Sequence, residues 1–127
     1  MTPEAARSLA IARQHLVAAD ANVGVSMAFV AAREAYLAAF HAAMAVVLQY
    51  TGKAAKTHSG LRSEFARLAR TEPRIDPKLV SFLARAYTLK SAADYGEDPL
   101  ATISLAQAQE VVGIAREFVQ AIKEILP

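Results

Sequence analysis

A long apolar stretch, residues 35–48, limits the folds open to this chain more than any other part of it. The stretch holds fourteen residues, and His41 is the only strongly polar one among them. A helix that crosses a membrane needs about 20 apolar residues, so this segment is too short to span a bilayer. A helix that is apolar on nearly every side is instead typical of the centre of a helical bundle, where other helices surround it.

The remainder of the 127-residue chain is helical in pattern as well. No stretch alternates apolar and polar residues as a strand does, and the strong helix former Ala recurs at nearly every turn. A hydrophobic content of 54% excludes a disordered chain, and the absence of Cys excludes disulfides and thiolate metal sites. We therefore predict one domain, residues 1–127, of the all-α class: an up-and-down bundle of four to five helices.

Capping and breaking residues set the limits of the predicted helices. Thr2 and Asp76 each precede a proline that suits the first helical position, and Gly52 follows the second helix as a C-terminal cap. Ser104 and Gln107 form a capping box. The predicted helices span residues 3–19, 26–50, 58–70, 77–93 and 105–126, and residues 20–26 form the first connection.

Alternating helix directions predict a polar end of the bundle. Four helix ends would meet there: the end of helix two, the start of helix three, the end of helix four and the start of helix five. The residues gathered in this way are Lys53, Lys56, Thr57, His58, Ser59, Lys90, Asp94 and Tyr95. The start of helix three also presents unpaired backbone N–H groups and the positive end of the helix dipole.

The charge distribution favours an anion at this end. Residues 52–90 hold nine Lys or Arg against three Asp or Glu. We therefore predict that the eight gathered residues bind a phosphate or a nucleotide. The alternative is that the basic side chains are simply the solvated faces of two helices.

Each histidine has two interpretations. His58 could act as a general base or phosphate donor, because its pKa lies near neutrality, or it could cap helix three or bond Asp94. His41 is predicted to be a core histidine satisfied by a neighbouring helix, with a ligand or base as the alternative. His15 is predicted to lie in solvent on a polar side. The ring of Tyr95 either packs on apolar surface with its hydroxyl in solvent, or its hydroxyl contacts a base or a phosphate.

Other classes of site lack their motifs. The sequence contains no His-x-x-x-His or Glu-x-x-His pair for a metal, no Gly-x-Ser-x-Gly elbow and no Walker loop. We therefore expect no metal and no cofactor. Arg7, Arg13 and His15 interrupt any apolar core of a signal peptide, so we expect a cytoplasmic protein that does not enter a membrane.

Three segments together resemble the prokaryotic HEPN domain family. They are the Ala-rich segment 35–43, which contains Tyr36 and Phe40-His41, the segment Lys-Thr-His-Ser-Gly at residues 56–60, and Ala-Asp-Tyr-Gly at residues 93–96. The resemblance covers most of the chain. It implies a helical bundle that tends to form homodimers and, in many members, pairs with a small nucleotidyltransferase as a toxin–antitoxin module.

The resemblance leaves three functions open. The first is a binding protein that docks a nucleotidyltransferase and holds a nucleotide or RNA phosphate at the polar end. The second is a metal-independent ribonuclease toxin with His58 as base. Ribonuclease members carry an Arg followed, after four to six residues, by His, whereas Lys53 holds that place before His58 here. The third is a structural interaction module without a ligand.

Overall fold

Five helices make up the described part of the protein. The computed structural model describes the backbone of residues 1–95 and 103–127, and the side chains of residues 1–92 and 103–127. The helices are α1 (Pro3–Gly24), α2 (Ala28–Thr51), α3 (His58–Ala69), α4 (Pro77–Tyr95) and α5 (Leu105–Ile125). No strand occurs within the described ranges, so the predicted all-α bundle is confirmed. The side chains of Asp94 and Tyr95 lie outside the described residues.

Helix α2 is the central helix, as its composition predicts. It contacts each of the other four helices. Most of the buried positions of α2 hold Ala, which allows the neighbouring backbones to approach closely, and these alanines include Ala31, Ala35, Ala38, Ala39, Ala42 and Ala43. Among the described helices, α2 is also long and apolar enough to suit a membrane span, yet most of it is buried inside the bundle, as in the core helix of a soluble protein.

Helix α1 runs antiparallel to α2 and is longer than predicted. The Thr2 amide donates a hydrogen bond to Gln49 Oε1 at 2.8 Å, which joins the start of α1 to the end of α2. The prediction that residues 20–26 form a connection is wrong for its first five residues, which continue the helix. Packing is the reason, because Val23 lies against the core and Asn22 donates to the Ala18 carbonyl at 2.7 Å instead of ending the helix.

Helix α3 departs from strict alternation, because it runs alongside α2 in the same direction. His58, at its start, contacts Tyr36 in the first half of α2. Glu72, just past its end, accepts a hydrogen bond from Tyr50 at the end of α2. Residues 52–57 therefore lead the chain back along α2. The expectation that the end of α2 meets the start of α3 is wrong, and Lys53 is separated from His58 as a result.

A layer of three phenylalanines joins the last three helices. The ring of Phe118 lies 5.6 Å from that of Phe65 on α3 and 6.1 Å from that of Phe82 on α4. All three side chains are buried. This layer therefore links α3, α4 and α5 through their side chains.

The N-terminal cap of α3 gives a first testable prediction. Thr57 Oγ1 accepts a hydrogen bond from the Gly60 amide at 2.9 Å, and a Cβ at Gly60 would lie 2.9 Å from the same oxygen. We expect Thr57→Ala to lower the free energy of unfolding by about 1 kcal/mol, because it removes the cap. Urea unfolding measures this loss. Thr57→Ser should keep most of the stability, and an equal loss in both variants would contradict a role for the hydroxyl.

Candidate functional site

His58 lies in a nest of aromatic rings drawn from α2 and α4. Its ring centroid is 4.8 Å from that of Phe40, 5.6 Å from Tyr36 and 5.5 Å from Tyr87. Tyr36 and Tyr87 are in turn 5.5 Å apart. The imidazole is half-buried, so apolar walls hold it in one place while part of it remains open to solvent.

A short hydrogen bond orients this imidazole. The Tyr36 hydroxyl oxygen lies 2.5 Å from His58 Nδ1. Tyr36 is fully buried, and burial raises the pKa of its hydroxyl to about 12, although the charge of Arg62 opposes the rise. Tyr36 therefore stays protonated at neutral pH, and its buried polar atom is satisfied by the histidine.

Two cations stand beside His58. Burial lowers its pKa, and the charges of Lys90 and Arg62 lower it further. The Arg62 guanidinium lies over the ring of Tyr87, with its carbon 4.3 Å from the ring centroid. Arg62 Nη1 is shielded from solvent and has no hydrogen-bond acceptor within the described structure. A buried charged donor without an acceptor is rare in a folded protein.

The predicted polar set is only partly gathered. His58 and Lys90 come together, since the late part of α4 passes the start of α3. Lys53, Lys56, Thr57 and Ser59 are exposed in or near the returning segment, and the charges that act on His58 come from elsewhere. Asp94 and Tyr95 belong to the predicted set but their side chains lie outside the described residues.

Three members of the site are absent from the sequence prediction: Tyr36, Arg62 and Tyr87. A signal existed for two of them. Arg62 follows His58 by four residues, so both share one face of α3, and Tyr87 precedes Lys90 by three residues on one face of α4. Nothing in the sequence alone paired Tyr36 with His58, because the pairing depends on the direction of α3.

The other two histidines form a second layer on α1 and α2. His15 Nδ1 lies 2.5 Å from a carboxylate oxygen of Glu34, and its ring stacks on that of His41 with centroids 5.3 Å apart. The prediction that His15 lies in solvent is therefore wrong: the antiparallel α1 brings it against α2. Phe40 separates this layer from His58, with its ring edge-on to His41 at 5.1 Å.

The pH dependence of stability follows from the histidines. Burial and the nearby His15 lower the pKa of His41, and burial with two cations lowers that of His58. Below the unfolded value, about 6.5, the unfolded chain binds more protons than the folded one. We expect the melting temperature to fall as the pH drops from 7.5 to 5.5, and less steeply in a His41→Gln variant. A melting temperature that is constant or rises across this range would contradict the assignment.

A larger concavity lies away from His58. It is a groove between α4 and α5, lined by apolar Leu79, Phe82 and Ile114, and its main section encloses about 560 Å³. Its chemistry is that of a packing surface. No cluster of three His, Asp or Glu able to hold a metal occurs among the described residues. The site around Tyr36, His58, Arg62 and Lys90 supplies hydrogen-bond donors and positive charge, and these can bind an anion.

Comparison with known proteins agrees with the fold. A search of curated proteins finds no significant match. The family model described as HEPN domain matches residues 5–125, which is nearly the whole chain. The match includes four helices in full, all of α1 but its first two residues, and every residue of the site around His58. The resemblance carried by the segments around Tyr36, His58 and Ala93 is thereby confirmed, and this chain belongs to the HEPN domain family.

Proposed function

We propose that this HEPN protein binds the phosphate of a nucleotide or of RNA beside His58. The observation that carries the proposal is the pair of positive charges, Arg62 and Lys90, that act on the partly exposed imidazole of His58. The imidazole would hydrogen-bond a phosphate oxygen from its open side, and the two positive charges would attract the phosphate. The rings of Phe40 and Tyr87 give the site apolar walls.

Calorimetric titration tests the proposal. We expect AMP and ATP to bind and adenosine not to bind, because the phosphate supplies the recognised group. Lys90→Gln should weaken the binding of AMP, whereas Lys53→Gln, the same change of charge at an exposed position outside the site, should leave it unchanged. Negligible heats for both nucleotides, or equal losses in the two variants, would refute the proposal.

Pairing with a small nucleotidyltransferase, as in toxin–antitoxin modules, forms the second part of the proposal. Membership of the HEPN family supports it. Co-expression with a nucleotidyltransferase encoded beside this protein should give a complex that stays together through affinity and size-exclusion chromatography. Separate elution of the two chains at micromolar concentrations would count against the pairing.

A homodimer is the third part, and the α4–α5 groove supports it. Basic Lys78 and Arg85 lie two turns apart on the α4 edge, and acidic Glu110 and Glu117 lie two turns apart on the α5 edge. These four described side chains form no ion pair with one another. If two copies meet about a twofold axis along the groove, α4 of each lies over α5 of the other, and opposite charges face each other.

Charge reversal tests this arrangement. Arg85→Glu and Glu110→Arg should each shift the protein toward the monomer in sedimentation velocity runs, because each places like charges across the interface. The double variant should restore the dimer, because the positive and negative charges have then exchanged places and attract each other again. A dimer unaffected by either single change would place the interface elsewhere.

A metal-independent ribonuclease is the alternative function. The observation in its favour is an imidazole flanked by two cations, which could steady a developing negative charge on a phosphate. Incubation of total RNA with the protein and a chelator distinguishes the two functions. Cleavage that disappears in His58→Ala would favour the nuclease. Intact RNA would favour binding alone.

A further inference from the structure

We infer that Tyr36 fixes His58 as a hydrogen-bond donor through Nε2, so that the site holds a terminal phosphate monoester instead of removing a proton from it or from RNA. Tyr36 is a positioning residue in this arrangement, because it acts through His58. The state of the His58 ring is independent of any ligand. Only the identity of the ligand rests on the proposed function.

The Tyr36 proton has a single acceptor. The hydroxyl is buried with the rest of the side chain, and its hydrogen bond to His58 Nδ1 measures 2.5 Å. Two other polar groups act on it: the Arg62 guanidinium has donors but no acceptor atom, and the Tyr87 hydroxyl forms no hydrogen bond with it in the described structure. Tyr36 therefore donates, and Nδ1 accepts. A neutral imidazole carries one proton, so that proton resides on Nε2.

The surrounding charges keep the ring in this state. A second proton on His58 would face the positive charges of Arg62 and Lys90 in a half-buried position. Moving the single proton from Nε2 to Nδ1 would leave two hydrogens between Nδ1 and the Tyr36 oxygen, and the buried hydroxyl would lose its acceptor. Only this second change would make Nε2 a proton acceptor, and the buried Tyr36 hydroxyl opposes it.

The ligand class follows from these donors. Nε2–H can donate to an oxygen, and the positive charges of Arg62 and Lys90 that act on His58 favour a group with two negative charges over a group with one. A terminal phosphate monoester, such as the 5′-phosphate of AMP, carries about two negative charges at neutral pH and no proton that needs an acceptor. An internal phosphodiester of RNA carries only one charge and matches the site less well.

Nitrogen-15 NMR of the ligand-free protein tests the tautomer. We expect long-range proton–nitrogen spectra to show His58 Nδ1 as an unprotonated nitrogen and Nε2 as a protonated one, with the signals assigned by their loss in His58→Gln. Tyr36→Phe, which keeps the ring, should give a mixture of the two tautomers. A protonated Nδ1 in the unmodified protein, or unchanged signals in a folded Tyr36→Phe variant, would overturn the inference.

Titration with AMP tests the consequence. The Gln amide nitrogen occupies nearly the position of imidazole Nε2, so His58→Gln should bind AMP within about threefold of the unmodified protein, whereas His58→Leu should lose about tenfold. Equal losses in both variants would refute the donor role. If AMP fails to bind the unmodified protein, the proposed function falls, and the NMR result still decides the state of His58.

Discussion

The Arg62→Met variant is expected to bind AMP about a hundredfold more weakly than the unmodified protein, or not measurably. Met fills a similar volume but has neither charge nor donor. Removing one partner of a buried, hydrogen-bonded charge pair costs roughly 2–5 kcal/mol, and each 1.4 kcal/mol is about tenfold in the dissociation constant. Calorimetric titration measures the change, with Arg67→Met as the control, because Arg67 is exposed on the same helix and paired with Glu64 at 2.8 Å.

The same substitution should leave the ligand-free protein about as stable as before. It removes the contact of Arg62 with the Tyr87 ring, worth roughly 0.5–2 kcal/mol, but also a buried donor without an acceptor, which costs about 1–3 kcal/mol. A buried charged side chain that does not stabilise the fold is typical of a binding site. A large loss of stability in Arg62→Met, with unchanged binding of AMP, would make Arg62 a structural residue and contradict the proposed site.

The Phe118→Ala variant is expected to lose about 3–5 kcal/mol of unfolding free energy. Phe118 is fully buried, and its ring contacts both Phe65 and Phe82, so its removal leaves a cavity among three helices. A domain of this size has about 5–15 kcal/mol of stability in total, and the loss is therefore a large fraction of it. Urea unfolding followed by circular dichroism measures the change.

Two further variants make the Phe118 result interpretable. Val17→Ala changes a side chain that is 70% exposed and should alter stability by less than about 0.5 kcal/mol. Phe118→Leu retains most of the volume and should lose clearly less than Phe118→Ala. If truncation of Phe118 cost no more than truncation of Val17, the aromatic layer would not be the link that holds α3, α4 and α5 together.

Helices and their caps could be predicted from the sequence because their signals are local. The Ser104–Gln107 capping box and the Gly52 cap are present in the structure where the sequence places them. The end of α1 was predicted too early, since Asn22 and Gly24 have the composition of a turn. Tertiary packing of Ala19 and Val23 in the hydrophobic core overrides this local preference, because burial of apolar surface outweighs weak helix propensities.

The sequence by itself determined the class of the fold, the central position of α2 and the presence of a histidine at the start of α3. These features depend on composition, periodicity and caps, which act over a few residues. Only the tertiary structure decided which groups surround that histidine. The returning segment 52–57 sets α3 parallel to α2, and this direction places His58 against Tyr36 and away from Lys53. Helix direction depends on contacts between residues far apart in the chain, and no local pattern encodes it.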